Sequence, residues 1–328
     1  MLRLPRFRYY SARTIEEAVR ILSDYGPEAM PVAGGTDVYP KMKRRQFEPK
    51  VLVGLRQVRD LAEIKGDGSR GMSIGAGATL AMIVQNKNLA ASYPALVRAG
   101  QVIAHPQIRN MGTLGGNLCL DTRCTYYDQT LFWREALGFC LKKDGSVCPV
   151  APGGDRCWAV SSTDGAPAVI ALDAQIRLVG PQGERVISAG ELYRDDGRQF
   201  LAKRPDEIIV EVLLPPADGW KSTYLKLRRR GAFDFPVLGV AVAIQEDGGV
   251  CRQARIVVGG VGSAPIRCRP AEAVLVGDRI DADRIEEAAH RVYQIIKPLD
   301  NTDFVHLYRK KMAPVFTRRA LQELMATT

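Results

Sequence analysis

No run of apolar residues in this chain of 328 reaches the roughly 18 that a membrane span requires, so no transmembrane segment is expected. The opening MLRLPRFRYYSARTIEEA lacks the apolar stretch of a secretory signal, and a cytoplasmic location follows as the default. Internal repeats and low-complexity tracts are missing too. No glycine turn is followed by Gly-Lys-Ser/Thr, which excludes a P-loop. Neither Gly34-Gly35 nor Gly75-Ala76-Gly77 continues to the third glycine of a Rossmann fingerprint; Leu80 stands where the second would need one. The bacterial ferredoxin run is absent, and Cys119 and Cys124, at C-x4-C, make one pair at the wide end of the spacing usual for structural zinc, while Cys140, Cys148 and Cys157 are spread widely. The net charge of +10 comes from dispersed basic residues, with short runs at Lys41–Arg45 and Arg228–Arg230 and no aromatic-rich RNA-binding signature. Solvated basic faces, in part contacting acidic partner subunits or an anionic cofactor, are expected; a nucleic-acid partner is not.

What is present is an ordinary globular composition, 46% hydrophobic and 25% charged, at a length that suggests two domains. Residues 7–10 read as a strand. Thr14-Ile15-Glu16-Glu17 then has the capping-box pattern, and Ile15, Ala18, Val19 and Leu22 follow at helical spacing. A second short helix and a strand over Val51–Leu55 complete a β-α-β-α-β unit. A strand near 72–78 and helices near 80–87 and 90–104 follow, the last stopped by His105-Pro106. Further strands are expected over Gln175–Val179, Arg185–Ser188 and Glu207–Leu214. Pro215-Pro216-Ala217-Asp218-Gly219 is the best domain boundary. Beyond it, Thr223–Arg229, Val237–Gln245 and Arg252–Val258 read as antiparallel strands with a hairpin at 246–249, and helices near 282–296 and 303–326 close the chain. The expectation is an α+β protein with a two-part domain over 1–216 (1–57 and 58–216) and a second domain over 217–328.

Two glycine turns and a group of cysteines carry the chemistry. Ala33-Gly34-Gly35-Thr36-Asp37 admits positive φ, lacks side chains that would hold a ligand away, and precedes a helix that Thr36 and Asp37 could cap. A tight turn before a helix explains it equally well. Gly112-Thr113-Leu114-Gly115-Gly116-Asn117 is a second such turn, and it runs directly into the cysteines. Five of the seven cysteines lie between Cys119 and Cys157, in a stretch whose periodicity breaks down and where Gly138, Gly145, Pro149, Pro152, Gly153 and Gly154 mark a long irregular excursion. In a reducing compartment such a group points to metal rather than disulfides. Spacing leaves iron–sulfur and zinc equally open. Cys251 and Cys268 are isolated and are expected to be small buried hydrophobes.

VAGGTDV (32–38) and IRNMGTLGGN (108–117) resemble the two phosphate loops of the FAD-binding subunits in the xanthine oxidase family of molybdenum hydroxylases. SSTD (161–164) is similar to that family's aspartate segment, and YLKLRRRGAFDFP (224–236) to the lysine-bearing strand that opens its C-terminal domain. The order is the family's, and the resemblance covers nearly the whole chain. It implies a PCMH-type FAD-binding domain followed by a domain of CO dehydrogenase flavoprotein type. It also implies roles. Val32, Ala33, Gly34, Gly35, Thr36 and Asp37 would form the first cofactor loop, and Gly112, Thr113, Leu114, Gly115, Gly116 and Asn117 the second. Asp164 would accept hydrogen bonds from the cofactor, Lys226 would bring a positive charge near it, and Val32 and Ile103 would pack on the flavin; His105, read from its place at a helix end alone, could touch a cofactor but suits a cap or a surface position better.

The cysteine excursion, placed at 119–158, is similar to that of the 4-hydroxybenzoyl-CoA reductase branch of the family, which holds a [4Fe-4S] cluster. By that match Cys124, Cys140, Cys148 and Cys157 (C-x15-C-x7-C-x8-C) are the ligands and Cys119 is spare. The resemblance further implies a large molybdenum-cofactor (molybdopterin) subunit, a small subunit with two [2Fe-2S] clusters, an (αβγ)2 complex and a ferredoxin-type donor. Electrons would run from that donor through [4Fe-4S] and FAD to the molybdenum site, where 4-hydroxybenzoyl-CoA is dehydroxylated. The alternatives are the FAD subunit of a hydroxylase for an aldehyde, carbon monoxide or an aromatic substrate, and a zinc-stabilised binding module.

Overall fold

Three sheets organise the chain, and the computed structural model describes them across residues 2–326. The first is built by β1 (Arg8–Ser11), α1 (Ile15–Tyr25), β2 (Ala29–Val32), α2 (Val38–Lys43) and β3 (Val51–Gly54), with strands parallel in the order β1-β3-β2. Ala18, Val19, Ile21 and Leu22 bury one stripe of α1 against β3, as the helical spacing requires. Thr14 Oγ1 accepts the Glu17 N–H at 3.1 Å, whereas the Glu17 carboxylate accepts from the Arg13 N–H at 2.8 Å, one residue earlier than a capping box would have it. Thr14→Ala is therefore expected to cost about 1 kcal/mol, seen as a lower denaturant midpoint with flavin content unchanged.

The second sheet is antiparallel throughout, in the order β4-β5-β8-β6-β7: β4 (Ile64–Asp67), β5 (Gly71–Gly75), β6 (Gln175–Gly180), β7 (Gly183–Ser188) and β8 (Ile208–Leu214). Between β5 and β6 run α3 (Leu80–Gln85), α4 (Lys87–Ser92), α5 (Pro94–Val102), α6 (Pro106–Arg109), α7 (Leu114–Leu118), α8 (Leu131–Ala136) and α9 (Gly165–Ala171). The expected helix over 90–104 is thus two. Pro94 starts α5 at its first position, where its missing N–H costs nothing, and Tyr93 leaves helical geometry before it. The short helix α8 inside the cysteine excursion, capped by Thr130, was not expected.

The third sheet, β12-β11-β10-β9, comprises β9 (Trp220–Leu227), β10 (Leu238–Asp247), β11 (Val250–Gly259) and β12 (Ile266–Arg267), backed by α10 (Arg269–Leu275), α11 (Ala282–Ile295) and α12 (His306–Ala326). β10 is buried on both faces. Leu238, Val240, Val242 and Ile244 pack towards the closing helices, while the smaller Ala241 and Ala243 join the core of the preceding domain. That alternation of large and small side chains lets the two domains share a wall. Cys251 and Cys268 are fully buried, as expected of small apolar residues. Among the described residues, no helix is long and apolar enough to cross a membrane.

Candidate functional site: a cleft between two glycine loops and a cysteine loop

The two glycine turns meet. Gly34 lies so close to the second turn that a Cβ there would sit 2.0 Å from the Met111 carbonyl oxygen. Between and around them opens a cleft of about 580 Å³, lined by both turns, by the helix ends at Ile103–Ala104 and Ile108, by Tyr127 and Lys142 of the cysteine loop, and by Arg198, Phe200 and Lys203. Gly34, Gly35, Thr36 and Asp37 all face it. Among the described residues, no acceptor within the chain takes their four N–H groups. They are donors awaiting an anion.

The second turn behaves differently. Thr113 Oγ1 accepts the Gly116 N–H at 3.1 Å, and the Gly112 and Gly115 N–H groups bond Ile108 O at 2.7 Å and Ala76 O at 2.8 Å. Gly112, Thr113, Gly116 and Asn117 line the cleft; Leu114 and Gly115 turn inward and pack on the sheet. The glycines of this turn serve close approach more than donation, since a Cβ on Gly115 would meet Ala76 Cβ at 2.7 Å. Asn117 Oδ1 accepts from Thr163 Oγ1 at 2.8 Å and from Gly165 N at 2.9 Å, which ties the turn to the aspartate segment.

Asp164 borders the cleft, 3% exposed, at the start of α9. It does not cap that helix. Its carboxylate accepts the Tyr224 hydroxyl at 2.8 Å and the Lys226 ammonium at 3.0 Å. Lys226 also donates to Val102 O at 3.1 Å and Asp234 O at 2.8 Å, which occupies all three of its protons. Burial raises the Asp164 pKa above its ordinary value, and the nearby Lys226 ammonium opposes that rise. Lys226 therefore stands behind Asp164 and orients it, rather than facing the cleft.

Other expectations need similar correction. Val32 is buried with Met42 and Leu52 in the small sheet's own core, whereas Ile103 does line the cleft. His105 lies outside the lining; its ring stacks on Phe233 at 5.3 Å, and Phe233 is the residue that reaches the cleft. Asp37 makes no cap bond; its carboxylate pairs with Arg123. Sequence reasoning missed Ala104 and Phe233, both at positive φ (48° and 66°) and joined by a Phe233 N–H to Ala104 O bond of 3.0 Å. Two such backbones meeting at one cleft mark a shape the fold maintains against local preference, and nothing in their side chains signals it.

Cys124, Cys140 and Cys157 pack into one small cluster with Tyr127, which also lines the cleft. Cys148 is buried as well, and burial pushes the Cys124 thiol up to about 12, with Cys157, Cys140 and Cys148 close enough to add to the rise. Cys119 is apart from them, lining the cleft. Among the described residues, no three potential ligands sit as they would around a single metal ion.

A glycine-loop donor row, a second loop held at contact distance and a buried aspartate around one cleft define a two-domain flavin-binding protein. Residues 5–217 match the family model described as the FAD binding domain in molybdopterin dehydrogenase, and residues 222–324 match the CO dehydrogenase flavoprotein C-terminal domain. The chain is 31% identical over 322 residues to the carbon monoxide dehydrogenase medium chain of Afipia carboxidovorans, covering 98% of this chain and 97% of that one. It is 31% identical over 338 residues to the aldehyde oxidoreductase FAD-binding subunit of Escherichia coli, covering 96% and 99%. Its fold superposes on the carbon monoxide dehydrogenase of Hydrogenophaga pseudoflava with a TM-score of 0.82 at 27% identity, over 99% of each chain. The chain belongs to the FAD-binding subunits of the xanthine oxidase family of molybdenum hydroxylases.

Proposed function

We propose that this chain is the electron-transfer subunit of a 4-hydroxybenzoyl-CoA reductase, carrying FAD in the cleft and a [4Fe-4S] cluster on Cys124, Cys140, Cys148 and Cys157. The observation that carries the reading is that Cys124, Cys140 and Cys157 pack together against Tyr127, which itself lines the cleft, with Cys148 buried and close enough to act on Cys124. The N–H groups of residues 34–37 would hold the pyrophosphate, Asp164 would accept from the flavin's donor edge, and Ile103 would pack on its ring. When bound, the two groups supply one- and two-electron chemistry, and the protein supplies position and field. The substrate site would lie on a large molybdenum-cofactor subunit, with a small [2Fe-2S] subunit between, in a doubled three-subunit complex fed by a ferredoxin-type donor in the cytoplasm.

A second reading is the FAD subunit of a hydroxylase for carbon monoxide, an aldehyde or an aromatic substrate. It is favoured by relatives named for carbon monoxide and aldehyde oxidation that match along the whole chain. Family membership leaves the zinc-stabilised, flavin-free module without support. Anaerobically purified protein is expected to hold about four iron and four sulfide per FAD. Cys140→Ser should lose the iron and Cys119→Ser should keep it. Flavin without iron would sink the cluster, and iron without reduction of the flavin by reduced ferredoxin would turn the assignment to the second reading.

A further inference from the structure

The cleft and the cysteine loop are bound together by a buried set of charges. Arg123 immediately precedes Cys124. Its guanidinium pairs with Asp37 of the first glycine loop and, at 3.2 Å, with Asp128. Asp128 in turn accepts the Cys124 backbone N–H at 3.0 Å. A second line runs alongside: Lys41 of α2, 1% exposed, pairs with Asp121 at 2.8 Å, and Asp121 pairs at 2.8 Å with Lys142, two residues after Cys140. Bonds to backbone carbonyls add to these. Gln46 Nε2 donates to Tyr127 O at 2.7 Å, and Arg134 donates to Arg44 O and Arg45 O at 2.9 and 3.0 Å. The Arg123–Asp37, Lys41–Asp121, Gln46–Tyr127 and Arg134–Arg44/Arg45 ties join the first glycine loop or α2 and its following turn to the cysteine loop or the segment leading into it, and the others brace that loop internally.

We propose that Arg123 is a positioning residue that couples the two sites, so that filling the cysteine loop tightens FAD binding and bound FAD favours filling of the cysteine loop. The inference rests on the reading of that loop as a cluster site. Two physical arguments lead to it. The excursion from Cys124 to Cys157 has a single short helix, so ordering it is entropically costly. Ligation meets part of that cost, and the contacts that then form are the same ones that fix Asp37 and the donor row beside it. Coupling of this kind is reciprocal by necessity. The second argument is charge. Asp37 faces the cleft where a pyrophosphate dianion would bind, and alone it would repel that ligand. Arg123 neutralises it, and only the Arg fork spans both Asp37 and Asp128; a lysine reaches one.

The test uses the full chain, purified anaerobically, with iron and sulfide assayed and FAD affinity measured by flavin fluorescence quenching, in iron-loaded and chelator-stripped forms. Wild type should bind FAD at least about tenfold more tightly when loaded, within the roughly 5- to 150-fold range of such couplings. In Arg123→Gln the loaded and stripped forms should differ by less than about twofold, with iron retained. Arg123→Lys should behave the same way, and it stands in if Arg123→Gln does not fold. Arg123→Gln with Asp37→Asn should recover FAD affinity, because the repulsion is gone, without recovering the difference between the two forms. Iron present with equal affinities in wild type, or a full difference persisting in both Arg123 variants, would overturn the coupling alone. No iron in reconstituted wild type would overturn the cluster and the coupling with it.

Discussion

Replacing Gly34 with alanine is expected to empty the cleft of flavin. A Cβ there would lie 2.0 Å from Met111 O, 2.6 Å from Met111 C and 3.1 Å from Gly112 Cα. All three are backbone atoms, so no rotamer change relieves the clash. The loops can only separate, which moves the donor row of residues 34–37 away from the turn that faces it. Overpacking of this kind costs about 2–3 kcal/mol. If that strain falls on the bound geometry, FAD affinity drops roughly 30- to 150-fold. Gly112→Ala is the internal control. Its nearest atoms would be Ile108 O at 3.3 Å, Leu80 Cδ1 at 3.4 Å and Thr36 Oγ1 at 3.6 Å, contacts that a small adjustment absorbs. Its loss should stay within about tenfold, below 1.4 kcal/mol. Equal flavin affinity in the two variants would show that contact between the loops is not what the cleft depends on.

Lys226→Met should produce the largest loss of stability. The substitution leaves Asp164 buried without its counter-charge and strips Asp234 O of a donor, while Val102 O keeps the Arg228 guanidinium at 2.9 Å. Removing one partner of such a pair typically costs about 3–5 kcal/mol. Part of this cost depends on pH, and its sign follows from Asp164. Burial already raises that carboxyl's folded pKa above its unfolded value, and losing Lys226 raises it further. Between the two values the native state binds more protons than the unfolded state, so stability falls as pH rises through that window. The charge-related deficit should be fullest at neutral pH and shrink under acid, while the loss at the Asp234 carbonyl persists. Denaturant melts of wild type and variant across pH would show this. Asp164→Asn in the Lys226→Met background should restore part of the neutral-pH loss; a deficit flat with pH and unmoved by that second change would place the lysine's role elsewhere.

The sequence announces the elements whose signals are local. Thr14 marks the start of α1, Gly248-Gly249 (φ 59° and 78°) the β10–β11 turn, and the glycine clusters the two loops. It also marks Asp164, but only through resemblance to the family. Three features were not legible. The Arg123–Asp37 pair joins residues far apart in the chain, and to a local reading Asp37 looks like a helix cap. Lys226 faces Asp164, not the cofactor cleft, because its strand neighbours turn it inward, and alternation along β9 does not say what lies behind each face. Ala104 and Phe233 hold left-handed backbones that neither side chain favours, so tertiary packing imposes them and no propensity foretells them. The division of the cysteines into four and one rests on resemblance to the family; Cys119 lines the cleft, and Cys124, Cys140 and Cys157 pack together with Tyr127.

The pairing of β5 with β8 sets a timetable for biosynthesis. Met72 lies opposite Leu214, so the second sheet is incomplete until the ribosome has delivered residues beyond 214. By then both glycine loops and all the cysteines of the excursion have left the exit tunnel on a chain whose middle sheet cannot yet close. The first sheet, whose strands all lie within residues 8–54, can form long before. The glycine loops and the thiols therefore emerge well before the sheet beside them can close.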